Sequence, residues 1–132
     1  MASNTKSYEV QMRRGVVELC ILALLSKKAC YANDIVQAMQ QARMIVVEGT
    51  IYPMLSRLKN AGYLVYRWEE SKQGPPRKYY VLSAHGVEYL KELLACWQET
   101  EQVVNAILQG VADNLSEEPI PRASASAGKK DE

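Results

Sequence analysis

The chain has 132 residues, 48% of them hydrophobic, and a formal net charge of +1, a length that admits one domain with a modest core and not two. Its three cysteines (Cys20, Cys30 and Cys96) are odd in number and lack Cys-x-x-Cys spacing. They argue against a disulfide framework or a zinc site and point to reduced thiols in a cytoplasmic protein. A single histidine, His85, with no Gly-rich phosphate loop, no Ser/His/Asp ordering and no cluster of metal ligands, argues against an enzyme or a bound metal or cofactor.

In chain order, residues 1–7 are polar and carry no apolar signal-peptide core. A first helix is expected from about Tyr8 to Ser26. Its Val16–Leu25 stretch is apolar except for Glu18 and too short to span a bilayer, so it reads as a buried helix with Lys27 and Lys28 at its negative end. A loop at Ala29–Ala32 leads to Asn33, a candidate N-cap for a second helix, Asp34–Ala42, whose apolar side is Ile35, Val36 and Met39. Met44–Val47 could be a short extended segment that joins the hairpin as a third strand.

The stretch from Glu48 to Leu64 organises the rest. At 100° per residue, Ile51, Leu55 and Leu58 fall on one narrow apolar face, with Met54 at its edge. Gly49, Thr50, Pro53, Ser56, Arg57 and Asn60 lie opposite, and Tyr52 and Lys59 on one flank. Thr50 is the expected N-cap, Pro53 falls in the first turn where its missing N–H costs little, and Gly62 ends the helix. A helix fixed by one face and offering small polar groups on the other suits the DNA major groove.

Strand formers follow at Tyr63–Glu69, then a turn-prone Glu70–Pro76, then a second strand at Arg77–Leu82. Three helices and a hairpin with a basic tip are the order of a winged helix-turn-helix, with the third helix as reader. Charge distribution agrees. Residues 49–82 carry six Lys/Arg against two Asp/Glu, whereas residues 83–132 carry four against nine. A basic middle that coincides with the helix and hairpin is the footprint of a DNA face. Its candidate contacts are Thr50, Tyr52, Pro53, Ser56, Arg57 and Lys59 on the helix, and Lys72, Arg77 and Lys78 on the wing. Tyr52 could instead buttress the helix against the hairpin, one of Tyr79 and Tyr80 should be core, and Trp68 is expected to pack the hairpin onto the body.

Ser83 can cap a last helix of about 27 residues and about 40 Å. Along it Val87, Leu90, Leu94, Trp97, Glu101, Val104, Leu108 and Val111 recur at spacings of three and four, a heptad-type seam with one polar member. Leu93 and Ile107 widen the stripe. The expected role is homodimerisation, chiefly through Val87, Leu90, Leu94, Trp97, Val104 and Leu108; packing on its own domain is the plainer alternative. After about Asp113 the chain is poor in large apolar residues and reads as disordered. The division is thus a winged-helix domain at 8–83, a dimerisation helix at 84–111 and a tail at 112–132.

Gly49-Thr-Ile-Tyr-Pro-Met-Leu-Ser-Arg-Leu-Lys-Asn-Ala-Gly62, then Trp68, then Gly74-Pro-Pro-Arg-Lys-Tyr-Tyr-Val-Leu-Ser83 resembles the signature of PadR-type transcriptional regulators. Arg14–Leu25 resembles that family's first helix, and the match runs in register from about Met12 to Leu108. Two positions depart. Cys30-Tyr31-Ala32-Asn33 stands where the family often has His-Gly-Tyr, and Pro75 stands where the wing often has Arg. The resemblance implies a mainly α fold with a small β-hairpin wing, and a dimer that binds double-stranded DNA at an inverted repeat, most simply as a repressor. It also implies that Trp97, with Cys96 nearby, could hold a small, flat aromatic effector across the dimer, although dimer-core packing explains Trp97 as well. Two other functions fit the same residues: a winged-helix module for protein–protein assembly, and a ligand-binding dimer without DNA-binding activity. A membrane role is not expected.

Overall fold

Ile51, Leu55 and Leu58, the apolar face of the third helix, are almost completely buried, and the first two helices close over them. The structure is a computed structural model that describes residues 2–44 and 48–116. Its elements are α1 (Ala2–Lys27), β1 (Cys30–Tyr31), α2 (Ala32–Gln41), α3 (Glu48–Asn60), β2 (Leu64–Ser71), β3 (Gly74–Leu82), α4 (Ala84–Leu108) and α5 (Val111–Ser116). The core combines Val17, Ile21, Leu22 and Leu25 of α1 with Ile35, Val36 and Met39 of α2 and the α3 triad. Cys30, Leu64 and Tyr80 complete it from the strands. Helices on a small twisted hairpin, with a long helix after it, form the expected winged-helix architecture. The chain divides at Trp97/Gln98 into two units.

The boundaries differ from the sequence expectation in ways the backbone explains. α1 begins at Ala2, not Tyr8; residues 2–7 contain neither Gly nor Pro, so a helix nucleated by its buried half propagates through them. Ala29–Ala32 is not simply a loop. β1 pairs antiparallel with β3, Cys30 opposite Tyr80 and Tyr31 opposite Tyr79, making a three-stranded sheet in the order β1-β3-β2. That pairing holds Tyr31 extended, so α2 starts directly after it and Asn33 falls in the first turn instead of capping. The cap is supplied backwards, by the Asp34 carboxylate accepting from the Tyr31 N–H at 3.1 Å. Of Met44–Val47, the candidate third strand, Met44 is in no strand and residues 45–47 lie outside the described residues; β1 is the third strand of the sheet.

α3 starts at Glu48, which moves Thr50 from the N-cap into the first turn and leaves Pro53 inside the helix. Its end follows expectation. Gly62 has φ +89°, its N–H donates to the Lys59 carbonyl and the Tyr63 N–H donates to that of Leu58, each at 3.0 Å. This double bond pattern closes a helix around a left-handed residue. The hairpin is tighter than the sequence suggests: the strands run on to Ser71 and from Gly74, leaving Lys72 and Gln73 at the tip. Pro75 and Pro76 fall beside an irregularity between Glu69 and Ser71, and beyond the span of β1, where their missing N–H groups leave the ladder intact.

Ser83 fixes where α4 begins, as expected. Its hydroxyl accepts from the Gly86 N–H at 2.9 Å and donates to the Gly62 carbonyl at 2.6 Å, tying the new helix to the end of α3. α4 ends at Leu108, and Gly110, with φ +82°, interrupts the helical backbone. Residues 111–116 then form α5, so the first five residues of the expected tail are helical; residues 117–132 lie outside the described residues. Among the described residues no helix is long and apolar enough to cross a membrane.

Candidate nucleic-acid interface

Strand alternation sorts the hairpin into two faces. Tyr66 lies opposite Tyr80, and Trp68 opposite Lys78, so these four share one face. Arg67 opposite Tyr79 and Glu69 opposite Arg77 share the other, joined there by Tyr31 from β1.

On the first face the Trp68 ring meets that of Tyr66 edge-on at 5.9 Å, and Lys78 lies over both rings, at 4.6 Å from Tyr66 and 5.5 Å from Trp68. Lys59 of α3 approaches Tyr66 from the helix side at 5.5 Å. Trp68 remains 60% exposed. It does not pack the hairpin onto the body, because its ring already finds partners within the wing. Tyr80 is the strand's core member, as one of Tyr79 and Tyr80 had to be.

On the second face the Tyr31 hydroxyl donates to Glu69 at 2.9 Å, and Arg67 pairs with the same carboxylate at 2.9 Å. The hydrogen bond from Tyr31 is the main cause that holds the Glu69 carboxyl below its ordinary range, and the same bond raises the Tyr31 hydroxyl. Arg77 stacks over the Tyr31 ring at 3.8 Å, and Arg67 over Tyr79 at 4.6 Å. A cation on an aromatic face keeps its full charge while its stem is ordered. Among the described residues, Lys59, Lys72 and Lys78 form no ion pair, while Arg77 lies opposite Glu69 and its charge helps to hold that carboxyl low.

A groove of about 450 Å³ runs between α3, the start of α2 and the wing, lined by Tyr31, Ala32, Asn33, Tyr52, Ser56, Trp68, Pro76, Arg77, Lys78 and Tyr80. A smaller recess beside it is lined by Ser56, Lys59, Asn60, Tyr66, Lys78 and Tyr80. The structure therefore brings together Tyr52, Ser56, Lys59, Arg77 and Lys78 of the predicted set. Thr50 and Pro53 are exposed on α3 away from the groove, and Lys72 is exposed at the wing tip. The sequence reading overlooked Tyr31, Asn33, Asn60 and Trp68. The alternation of Tyr66 and Trp68 with Lys78 was a signal for the last; Tyr31 and Asn33 were hidden by the misplaced start of α2.

Arg57 sits apart from the groove. Its guanidinium pairs with Glu18 of α1 at 3.0 Å, and the hydroxyl of Tyr89 in α4 donates to the other oxygen of the same carboxylate. That bond is the main reason the Tyr89 hydroxyl is pushed up to about 12, with burial second. The Tyr63 ring stacks on Tyr89 at 4.0 Å, nearly parallel, and on His85 at 4.9 Å. This gives His85 a packing role.

Residues 21–92 match the model of the family described as "Transcriptional regulator PadR-like family". The chain belongs to the PadR family. It is similar to a PadR-like transcription factor of known structure from Bacteroides fragilis, with 55% identity, 79% of this chain and 98% of the other covered, and a TM-score of 0.64. A PadR family transcriptional regulator from Eggerthella lenta is 26% identical, covers 82% of this chain and 95% of its own length, and superposes with a TM-score of 0.74. A PadR-like regulator from Bacillus cereus is 35% identical over 76% of this chain and 98% of its own, with a TM-score of 0.67. PadR membership makes this a transcriptional regulator with a winged-helix fold.

The α4 seam of this PadR chain is split. Leu90, with Tyr89 and Leu93, packs partly against the core of its own domain, which leaves Leu90 less surface for a partner than expected. Val87, Leu94 and Trp97 stay about two-fifths exposed, and on α1 Tyr8, Val10 and Met12 are more exposed still. In the second unit Val103, Val104, Ile107 and Leu108 are exposed. Burial pushes the Cys20 and Cys30 thiols up, which keeps them protonated and unreactive, while Cys96 is exposed. No group of three or more His, Cys, Asp or Glu among the described residues could hold a metal ion.

Proposed function

We propose that this chain is a homodimeric, sequence-specific DNA-binding repressor that occludes a promoter at an inverted repeat. The observation that carries the reading is the groove between α3 and the wing, where Lys59, Arg77 and Lys78 bring positive charge beside Tyr52 and Ser56. Arg77, Lys78 and the tip residue Lys72 contact phosphates and supply affinity; Thr50, Tyr52, Pro53 and Ser56 face the base edges and set position. Asn33 in the first turn of α2 joins the phosphate contacts, and Tyr31 orders Arg77 through its ring.

Dimerisation follows from the apolar surface left uncovered on both long helices. Val87, Leu94 and Trp97 of α4, with Tyr8, Val10 and Met12 of α1, are more large apolar surface than a monomer exposes without reason. In the second unit Val104 and Leu108 offer apolar surface of their own to a partner. A two-fold axis through the dimer contact repeats the reading helix and calls for a palindromic site. Exposed Trp97, with Cys96 beside it, is where a small aromatic effector would enter and bias the spacing of the two reading helices. As a regulator acting on DNA, the protein works in the cytoplasm.

Selection of duplexes from a random pool, followed by sequencing, tests the reading. The expected result is an inverted repeat whose half-site centres lie about one helical turn, or a multiple of it, apart. Enrichment of a single unrepeated half-site would refute the dimeric mode. No enrichment would refute specific DNA binding and favour protein–protein assembly.

A further inference from the structure

Among the described residues, Arg57 is the one basic residue of α3 that is held by a carboxylate. On the helix it lies seven positions after Thr50 and four after Pro53, on the outer polar face at the edge away from Tyr52 and Lys59. Its long stem lets the guanidinium serve either that face or α1. In the structure it serves α1, through Glu18 at 3.0 Å.

The two partners are unequally held. The Arg57 side chain is 59% exposed, that of Glu18 only 18%. Glu18 is fixed further by the Tyr89 hydroxyl on its second oxygen, and Tyr89 is fixed in turn by stacking on Tyr63. The carboxylate is thus a stationary acceptor and Arg57 the mobile member. A largely exposed pair of this kind adds little to the stability of the fold. Its effect on recognition is larger, because it places a fixed negative charge where the guanidinium would otherwise be free to meet a phosphate.

We infer that Glu18 is a positioning residue that withholds Arg57 from DNA, and that Tyr89 keeps its carboxylate in place. Arg57 is then a reserve phosphate contact, excluded from the interface as long as α4 holds Tyr89 against Glu18. This rests on the DNA-binding reading above.

The test is fluorescence anisotropy of the full chain on a labelled duplex obtained by the selection, repeated over a salt series. Each newly engaged phosphate steepens the dependence of log K on log salt by about 0.9. Glu18→Gln, which keeps the shape and removes the charge, is expected to tighten binding and steepen the slope by at least that amount. Adding Arg57→Ala to it should abolish the gain, whereas Arg57→Ala alone should leave the wild-type slope unchanged. An unchanged slope in Glu18→Gln, or a gain that survives in the double variant, overturns the inference. So does a shallower slope in Arg57→Ala alone, a surface change that tests the idea even if Glu18→Gln fails to fold. Wild-type protein that shows no salt-dependent binding would overturn the DNA reading itself, a result distinct from any of these.

Discussion

Gly86, in the first turn of α4, lies directly against the carbonyl of Tyr63, so that a Cβ built on it would stand 2.0 Å from that oxygen and 2.9 Å from its carbon. Both are backbone atoms, pinned by the Ser83 N–H, which donates to the same carbonyl at 3.1 Å. No rotamer change can relieve the overlap. Gly86→Ala should therefore destabilise by about 3 kcal/mol, at the upper end of overpacking costs. Urea denaturation measures it directly; a loss under about 1 kcal/mol, the lower end of that range, would mean that α4 can shift off the hairpin base.

Arg43 shows the opposite situation. It ends α2 with φ +66°, its N–H donating to the Gln40 carbonyl and the next N–H to that of Met39. That is the left-handed helix-stop position Gly62 occupies after α3, here taken by a residue with a Cβ. The neighbouring contact, Arg13 donating to the Arg43 carbonyl at 3.1 Å, uses backbone and would survive substitution. Arg43→Gly should stabilise the fold by about 1 kcal/mol, read as a higher urea midpoint at an unchanged slope.

Tyr89 gives a pH dependence with a definite sign. Its folded hydroxyl titrates at about 12 against an ordinary value of 10.0, through its bond to Glu18. A raised folded pKa contributes stability that is complete below pH 10 and is lost between about 10 and 12, as the unfolded chain ionises first. Tyr89→Phe removes that contribution. Its destabilisation relative to wild type should therefore be greatest at neutral pH and shrink above about pH 10. Equal differences at about pH 8 and about pH 11.5 would contradict the assigned hydrogen bond.

The proposed dimer makes a coupled prediction. Leu94→Glu places a charge in the apolar strip of α4, at a position 44% exposed in the single chain. It should leave the monomer folded, dissociate the dimer in sedimentation, and weaken binding to a two-half-site duplex at least tenfold. A dimer that persists would move the contact away from this strip.

Much of the molecule was legible in the sequence because local chemistry and tertiary packing agreed. The α3 face, the Gly62 stop and the Ser83 cap each follow from a residue type that serves one backbone geometry well. β1 was illegible because two residues carry no periodicity; Cys30 and Tyr31 are extended only because β3 pairs with them. α1 was underestimated at its start, since a polar run without breakers looks like a loose end until a buried half nucleates it. The wing residues fall in the expected region, but Trp68 stays exposed on the wing, and the pairing of Arg57 with Glu18 was not foreseen. Whether an exposed arginine meets solvent, a phosphate or Glu18 depends on an acid 39 positions away, which no local pattern reveals.

The most direct measurement is anisotropy of the protein on a labelled fragment of its own upstream DNA, against a shuffled fragment, for wild type and Arg77→Ala across a salt series. Tight binding to the native fragment alone is the predicted result. Arg77→Ala should weaken it and make the slope shallower by about 0.9 for each phosphate it no longer engages. Equal affinity of wild type and Arg77→Ala, with the same slope on both fragments, would contradict a DNA-reading groove between α3 and the wing.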